Sequence, residues 1–305
     1  AWLDAALTLG ANWLKKNFTT IARAADASVD MDPKPVWLEN RAYRSLRSGI
    51  AIAAKNQENL RKGDVVTFLH FARTGSTIPR GLLGPRNHEK QDKWIGGIGQ
   101  LDELRRTVGD KRIDALVISI GVNDVNFSGS LEELVKNDFG KGKDTANRKK
   151  VIKRINDTID GLDKHYRKLN KAIKEKKLNV RQVYITEYPT GIFDKIKNGR
   201  VVSAGGCEIF ESWFDMDITP QDAADLKHAA EKLNKKIRKM AGDLGWVYVG
   251  GIAERFAGHG YCMGDKRYFV KAEESLITQG DTEGTMHPNK EGHDIIAEQV
   301  SVELR

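Results

Sequence analysis

Ala115-Leu116-Val117-Ile118-Ser119-Ile120 runs directly into Gly121-Val122-Asn123-Asp124. The first six residues form a short, almost continuous apolar run, which suits a strand buried on both faces. The next four end it. Glycine lets the backbone turn sharply, and Asn123 stands at the strand's carboxyl end with its amide free to donate. A side-chain N–H so placed can stabilise an oxyanion. Asn-Asp is also ordinary turn chemistry, so these four residues alone assign no activity.

Similar runs recur along the chain. Val65 to Ala72, Val180 to Tyr188 and Trp246 to Val249 are rich in β-branched and aromatic residues. Thr19 to Ala24 is a candidate first strand, interrupted by Arg23. Helical patterns lie between them. Val151, Ile155, Ile159, Leu162, Tyr166, Leu169 and Ile173 recur at steps of three and four, one apolar stripe on one helix. Leu226, Ala230, Leu233, Ile237, Met240 and Leu244 make a second stripe, with Gly245 as its stop. Gly292 to Leu304 reads as a closing helix. Strands alternating with helices predict a parallel sheet covered on both faces, a three-layer α/β/α domain. One domain is expected over residues 1–305, with residues 1–18 as an N-terminal helical extension. Ligands of such sheets bind beyond the carboxyl ends of the strands.

Composition agrees with this class. The chain has 305 residues, 40% AVILMFWYC and 30% charged, which excludes collagen, coiled coil and intrinsic disorder. No run reaches the ~18 uncharged apolar residues that crossing a bilayer needs. Cys207 and Cys262 are the only cysteines, too few for a disulfide scaffold or a four-cysteine zinc site. They admit one bridge or two buried thiols. The chain begins Ala1-Trp2-Leu3-Asp4, with no initiator Met and no basic leader, which admits a processed or trimmed product.

Net charge is +8 and unevenly spread: residues 148–181 hold 13 Lys/Arg against 4 Asp/Glu, and the remainder is close to neutral. The segment reads as one basic helix. Its charges form a solvated face or a patch attracted to an anionic surface such as lipid headgroups. Nucleic acid is disfavoured, because no aromatic stacking platform or base-reading motif accompanies the charge.

Two further loops fall at the same end of the expected sheet. Arg73-Thr74-Gly75-Ser76-Thr77 follows the Val65 run, and Gly284-Thr285-Met286-His287-Pro288-Asn289 precedes the closing helix with its Gly292-His293. A histidine before proline is held extended, a suitable mount for a general base. His70, His88, His165 and His228 are read as surface or core residues.

Gly75, Asn123 and His287, in this order, resemble the SGNH (GDSL) hydrolases, a lipase and esterase family with a flavodoxin-like fold. Three longer stretches resemble its secreted lipase branch: Val36 to Ser45, Phe71 to Ser76, and Phe256-Ala257-Gly258-His259-Gly260-Tyr261-Cys262. The resemblance implies a secreted or periplasmic esterase acting on an acyl lipid or related ester, with no cofactor and no metal. It implies His287 as general base, and Asn123 and Gly75 as oxyanion donors beside the backbone N–H of residue 27. It also implies a Cys207–Cys262 disulfide.

The departures are as informative. The family's Gly-Asp-Ser is absent, and Ala25-Asp26-Ala27-Ser28 stands in its place. Aligning Asp26 with the family aspartate puts Ala27 at the nucleophile, and alanine has no oxygen with which to attack an ester. Three explanations stay open: a Ser→Ala knock-out at position 27, a natural pseudoenzyme or branch with another nucleophile, or a register in which Ser28 attacks. Ser76 is a poorer nucleophile, since its loop is wanted for the oxyanion hole. Gly284 occupies the usual place of the triad acid, and Asp281 and Glu283 are out of register. The carbonyl of Thr285 is therefore expected to orient His287, as in some secreted members. The family's first cysteine pair is replaced by Ala42 and Arg73. A carbohydrate esterase of the same fold, or a non-catalytic binding protein if Ala27 is the natural residue, are the alternatives.

Overall fold

A computed structural model describes residues 35–39, 42–60, 65–86, 97–137, 145–203 and 218–305. Its centre is a parallel sheet of β3 (Ile113–Ile118), β4 (Val180–Thr186) and β7 (Val247–Val249), in that order. Ile118 lies beside Ile185, and Thr186 beside Val249. Alternation along the strands divides the interior in two. Ile118, Val183 and Ile185 enter one apolar cluster, while Val117, Tyr184 and Val249 face a second.

Helices cover both faces, which gives the expected α/β/α layering. On the first face lie α2 (Gln100–Val108), α3 (Phe127–Asn137), α4 (Thr145–Asp160), α5 (Asp163–Glu175) and α6 (Pro220–Leu244). On the second lie α1 (Gly49–Leu60), α7 (Ile252–Phe256) and α9 (Lys290–Glu303). A short helix α8 (Ala272–Gln279) precedes the His287 turn. Two antiparallel pairs lie outside the sheet: β1 (Trp37–Glu39) with β2 (Arg44–Ser45), and β5 (Asp194–Lys197) with β6 (Arg200–Ser203).

The second predicted stripe forms α6, and local chemistry sets its ends. Thr219 Oγ1 accepts from the Asp222 N–H, Pro220 occupies the first turn, and Gly245 closes the helix at φ 71°. The basic segment is not one helix. Gly161 interrupts it, and α4 and α5 share the stripe across the break, with Ile159, Leu162 and Tyr166 all buried. After proline, glycine is the costliest residue in a helix interior, and the break falls there. Residues 180 and 181 already belong to β4. Arg148 pairs with Asp222 and Asp225, Arg154 with Glu133, Arg167 with Asp243 and Lys176 with Asp102.

The Val65–Ala72 run forms no ladder among the described residues, and Val65, Val66 and Leu69 are exposed. A parallel strand needs a neighbour. The expected one, Thr19 to Ala24, lies outside the described residues, as does the 1–18 extension. No helix among the described residues is long and apolar enough to cross a membrane.

Candidate active site

The turn after β3 is built around Gly121, at φ 134°. A Cβ there would collide with the Tyr166 hydroxyl, which donates to the Ile120 carbonyl at 2.9 Å. Both the backbone angle and the space thus require glycine. The turn then reaches across to the next loop with two side chains. Asn123 Nδ2 donates to the Ser76 carbonyl at 3.1 Å, and the Asp124 carboxylate accepts the Ile78 N–H at 3.1 Å. Asp124 also faces His165 Nδ1 at 3.4 Å. Burial pushes the Asp124 carboxyl above its ordinary range, opposed by the Ile78 N–H and His165. Asn123 and Asp124 therefore hold the Gly75 loop from one side.

Within that loop Gly75 sits at φ 63°, and a Cβ on it would strike the Arg86 guanidinium. Ser76 is buried; its hydroxyl donates to the Arg73 carbonyl at 2.9 Å and accepts from Gln100 Nε2 at 2.9 Å. That hydroxyl is committed to structure. Arg73 and Ala42 occupy the place of the family's first cysteine pair, and the Thr74 N–H reaches the Ala42 carbonyl at 3.4 Å. The loop is clamped by charge: Glu103 Oε2 receives Arg73 Nη2 at 2.5 Å and Arg44 Nη2 at 3.2 Å.

His287 lies on a turn pinned to the segment before α8. The Val270 N–H donates to the His287 carbonyl at 2.9 Å, and the Met286 N–H to the Val270 carbonyl at 3.0 Å. Met286 adopts φ 62°, a left-handed conformation that an L side chain rarely takes. In this turn His287 Nδ1 lies 3.2 Å from the Thr285 carbonyl, which assigns the proton to Nδ1 and leaves the Nε2 lone pair on an exposed ring. Asp281 is occupied elsewhere. It accepts the Tyr43 hydroxyl at 2.5 Å, Gln279 Nε2 at 2.9 Å and the Glu283 N–H at 3.0 Å. Burial, and then this bond to Asp281, push the Tyr43 phenol up. Arg86 acts on Tyr43 in the opposite direction. Asp26, Ala27, Ser28 and Cys207 lie outside the described residues. Cys262 packs against the larger core and is not a free thiol.

Several residues here had no sequence signal. Asp124–His165 joins positions whose spacing suggests nothing, and no residue type at 286 foretells a positive φ. His293 carries no signal in the sequence beyond its place beside Gly292. Its Nδ1 accepts the Gly49 N–H at 3.1 Å and so caps α1, which needs an unprotonated Nδ1. Burial pushes His293 down to about 4, helped by His287 and opposed by Asp294. His70 is likewise pushed down to about 4, by burial and by Arg44. Because both folded values lie below the unfolded one, the unfolded chain takes up these protons first. Stability is then full above about pH 6.5 and falls toward pH 4, by up to roughly 3 kcal/mol per histidine. Urea unfolding across this range should show the loss, and His293→Asn should flatten it by about half. An unchanged slope in that variant would remove His293 from the account.

A parallel α/β/α sandwich with the Gly121 turn beyond its first described strand is a hydrolase scaffold of the SGNH type. Residues 38–295 match the GDSL-like Lipase/Acylhydrolase family, and the chain belongs to it. The match begins after Asp26, Ala27 and Ser28. The fold is similar to that of an extracellular lipase from Streptomyces rimosus, at 19% identity and a TM-score of 0.58, covering 87% of this chain and 89% of that one. It is also similar to phospholipase A1 from Streptomyces albidoflavus NA297, at 18% identity and a TM-score of 0.59, covering 91% of this chain and 95% of that one. No curated protein matches.

Proposed function

We infer that this site, given a hydroxyl at position 27, hydrolyses acyl lipids or related carboxylic esters. The observation that carries it is His287, exposed, with Nδ1 on the Thr285 carbonyl and Nε2 free to take a proton. A hydroxyl at position 27 would lose its proton to Nε2 and attack the ester carbonyl, and the alcohol would leave with that proton. Water then releases the acid from the acyl-enzyme by the same route. Asn123 Nδ2 and the N–H groups of Gly75 and residue 27 would hold the oxyanion, at ~3 kcal/mol per donor. No metal or cofactor enters these steps. Lipid esters are favoured over acetylated sugars because both similar structures are named as lipases.

Ala27 supports a second reading, a binding protein that has lost its attacking oxygen. Ala27→Ser decides between them. Hydrolysis of p-nitrophenyl butyrate by Ala27→Ser, with the parent inert, supports the ester hydrolase. Activity in the parent that Ser28→Ala abolishes would move the nucleophile by one residue. A folded Ala27→Ser protein that is inactive on butyrate, phospholipid and acetylated-sugar esters alike would leave only the binding reading.

The proposal has three further parts. One domain spans residues 1–305. The protein works outside the cytoplasm, in keeping with its extracellular structural relative and with a Cys207–Cys262 bridge closing more than fifty residues, at ~4 kcal/mol in a chain-entropy model. Free-thiol titration of the unfolded, unreduced protein should then find none, and two reactive thiols would reject the bridge. Finally, the 148–181 segment meets anionic headgroups through Lys149, Lys150, Lys164, Lys168, Lys174, Lys177 and Arg181, which make no ion pair among the described residues.

A further inference from the structure

The hairpin of β5 and β6 is a stiff finger with an unusual tip. Asn198 and Gly199 turn it at φ 51° and 71°, the two positive angles of a type I′ turn. Its base is fixed from inside. The buried Asp194 carboxylate accepts the Ser203 hydroxyl at 3.1 Å and Lys227 Nζ of α6 at 2.7 Å. The Asp194 carbonyl accepts the Gly260 N–H at 3.1 Å, and Ile192 O accepts the Tyr261 N–H at 2.6 Å. Residues 196–201 are all exposed, with Ile196 at 46% and Val201 at 44%; the inner sides of these two side chains rest on Gly258, and the Ile196 N–H donates to Met263 Sδ at 3.3 Å. Lys195, Lys197 and Arg200 surround them, and none makes an ion pair among the described residues.

Backbone bonds link the base of the finger to the His287 turn. Segment 259–261 bonds to its base on one side, and its His259 carbonyl accepts from Tyr268 on the other. Val270, two residues on, receives and gives the backbone bonds that pin the His287 turn.

We propose that this hairpin is an interfacial anchor that docks the protein on a bilayer carrying anionic headgroups: Ile196 and Val201 enter the headgroup boundary while Lys195, Lys197 and Arg200 meet the lipid phosphates. Charge complementarity selects the sign of the surface. The two apolar residues select a bilayer over a soluble polyanion, which has nothing apolar to cover them. Cations near an anionic membrane add about 1 kcal/mol each, and buried apolar area adds to that. A rigid base matters because docking then orders no additional chain. The proposal rests on the acyl-lipid reading for its purpose, since it presents the site to an aggregated substrate. Docking itself needs no turnover.

The test is co-sedimentation of the chain as given with phosphatidylcholine vesicles, with and without phosphatidylglycerol. Binding is expected only with phosphatidylglycerol, weakening with salt. Lys195→Glu/Lys197→Glu/Arg200→Glu should weaken it by roughly 100-fold or more. Ile196→Ser/Val201→Ser should weaken it by at least about tenfold. Lys168→Glu/Lys174→Glu on α5 should weaken it less than the hairpin variants do. No binding by the parent, or hairpin variants that bind as the parent does, would overturn the proposal. So would a loss confined to the α5 variant, which assigns the surface to the basic segment. Equal binding to duplex DNA that survives Ile196→Ser/Val201→Ser would instead make the tip a polyanion site. In the Ala27→Ser background the hairpin variants should keep full activity on soluble p-nitrophenyl butyrate. Loss of vesicle binding with that activity intact separates failure of the anchor from failure of the ester hydrolase.

Discussion

In the Ala27→Ser background, His287→Ala is expected to lower kcat on a short p-nitrophenyl ester by a factor of roughly 10⁴ or more. The size follows from the division of labour. Without the imidazole the hydroxyl must shed its proton to water, and the leaving alcohol has no donor. Nucleophile and base act as a unit, so losing either costs nearly as much as losing both. Asn123→Ala should cost less, about 10²–10³, because it removes one oxyanion donor and leaves the proton path intact. Position 287 is exposed, so alanine there should leave the fold alone. The Thr285 carbonyl predicts a further signature. A neutral carbonyl fixes the tautomer but stabilises imidazolium less than a carboxylate does. Imidazole added to the His287→Ala protein should therefore restore part of the rate. A His287→Ala protein as active as its background would remove the residue from the mechanism.

What the sequence disclosed follows from where each signal is stored. The apolar stripe from Val151 to Ile173 is written in spacing, and every member is buried. Gly245 is written in residue type, since few other residues take its backbone angle. Gly75, Asn123 and His287 were legible as loop residues because glycine, asparagine and His-Pro punctuate the chain. Other features are stored in pairings that no local window holds. The Val65 run looks like a buried strand, yet a strand is defined by its neighbour. The basic segment read as one helix because the stripe continues through Gly161, and periodicity does not register a break that preserves the face. Asp124 looked like a turn residue, whereas it receives the Ile78 N–H from another loop. The left-handed Met286 goes with the two backbone bonds that join Met286 N–H and His287 C=O to Val270, a pairing that no local window of sequence holds.

Glu103→Ala is expected to destabilise the protein by about 3–5 kcal/mol, lowering Tm on the order of 10 °C. The Arg73 side chain is 0% exposed and the Arg44 side chain 8%, and both rest on the one carboxylate of Glu103. Both also donate to backbone carbonyls. Arg73 Nη1 donates to Ile98 O at 2.6 Å, and Arg44 Nε donates to Ala72 O at 2.8 Å. These carbonyls carry no net charge, and the buried Arg73 Nε has no hydrogen-bond partner among the described residues. Removing Glu103 would leave the Arg73 guanidinium, which is wholly out of water, without the carboxylate that neutralises it. That penalty, rather than the lost attraction, sets the size of the effect. Glu103→Gln should be milder, since it keeps one acceptor oxygen, and Arg73→Met milder than Glu103→Ala, since it removes a buried charge instead of stranding one. The order of these three denaturant midpoints tests the clamp. The same clamp fixes residues 73–76 beneath Gly75, at the place where relatives of the resembled branch carry a cysteine pair. It should hold equally under reducing and oxidising conditions, so dithiothreitol should not loosen this loop. A Glu103→Ala midpoint within about 1 kcal/mol of the parent would mean that water already reaches both arginines, and the loop would then need another anchor.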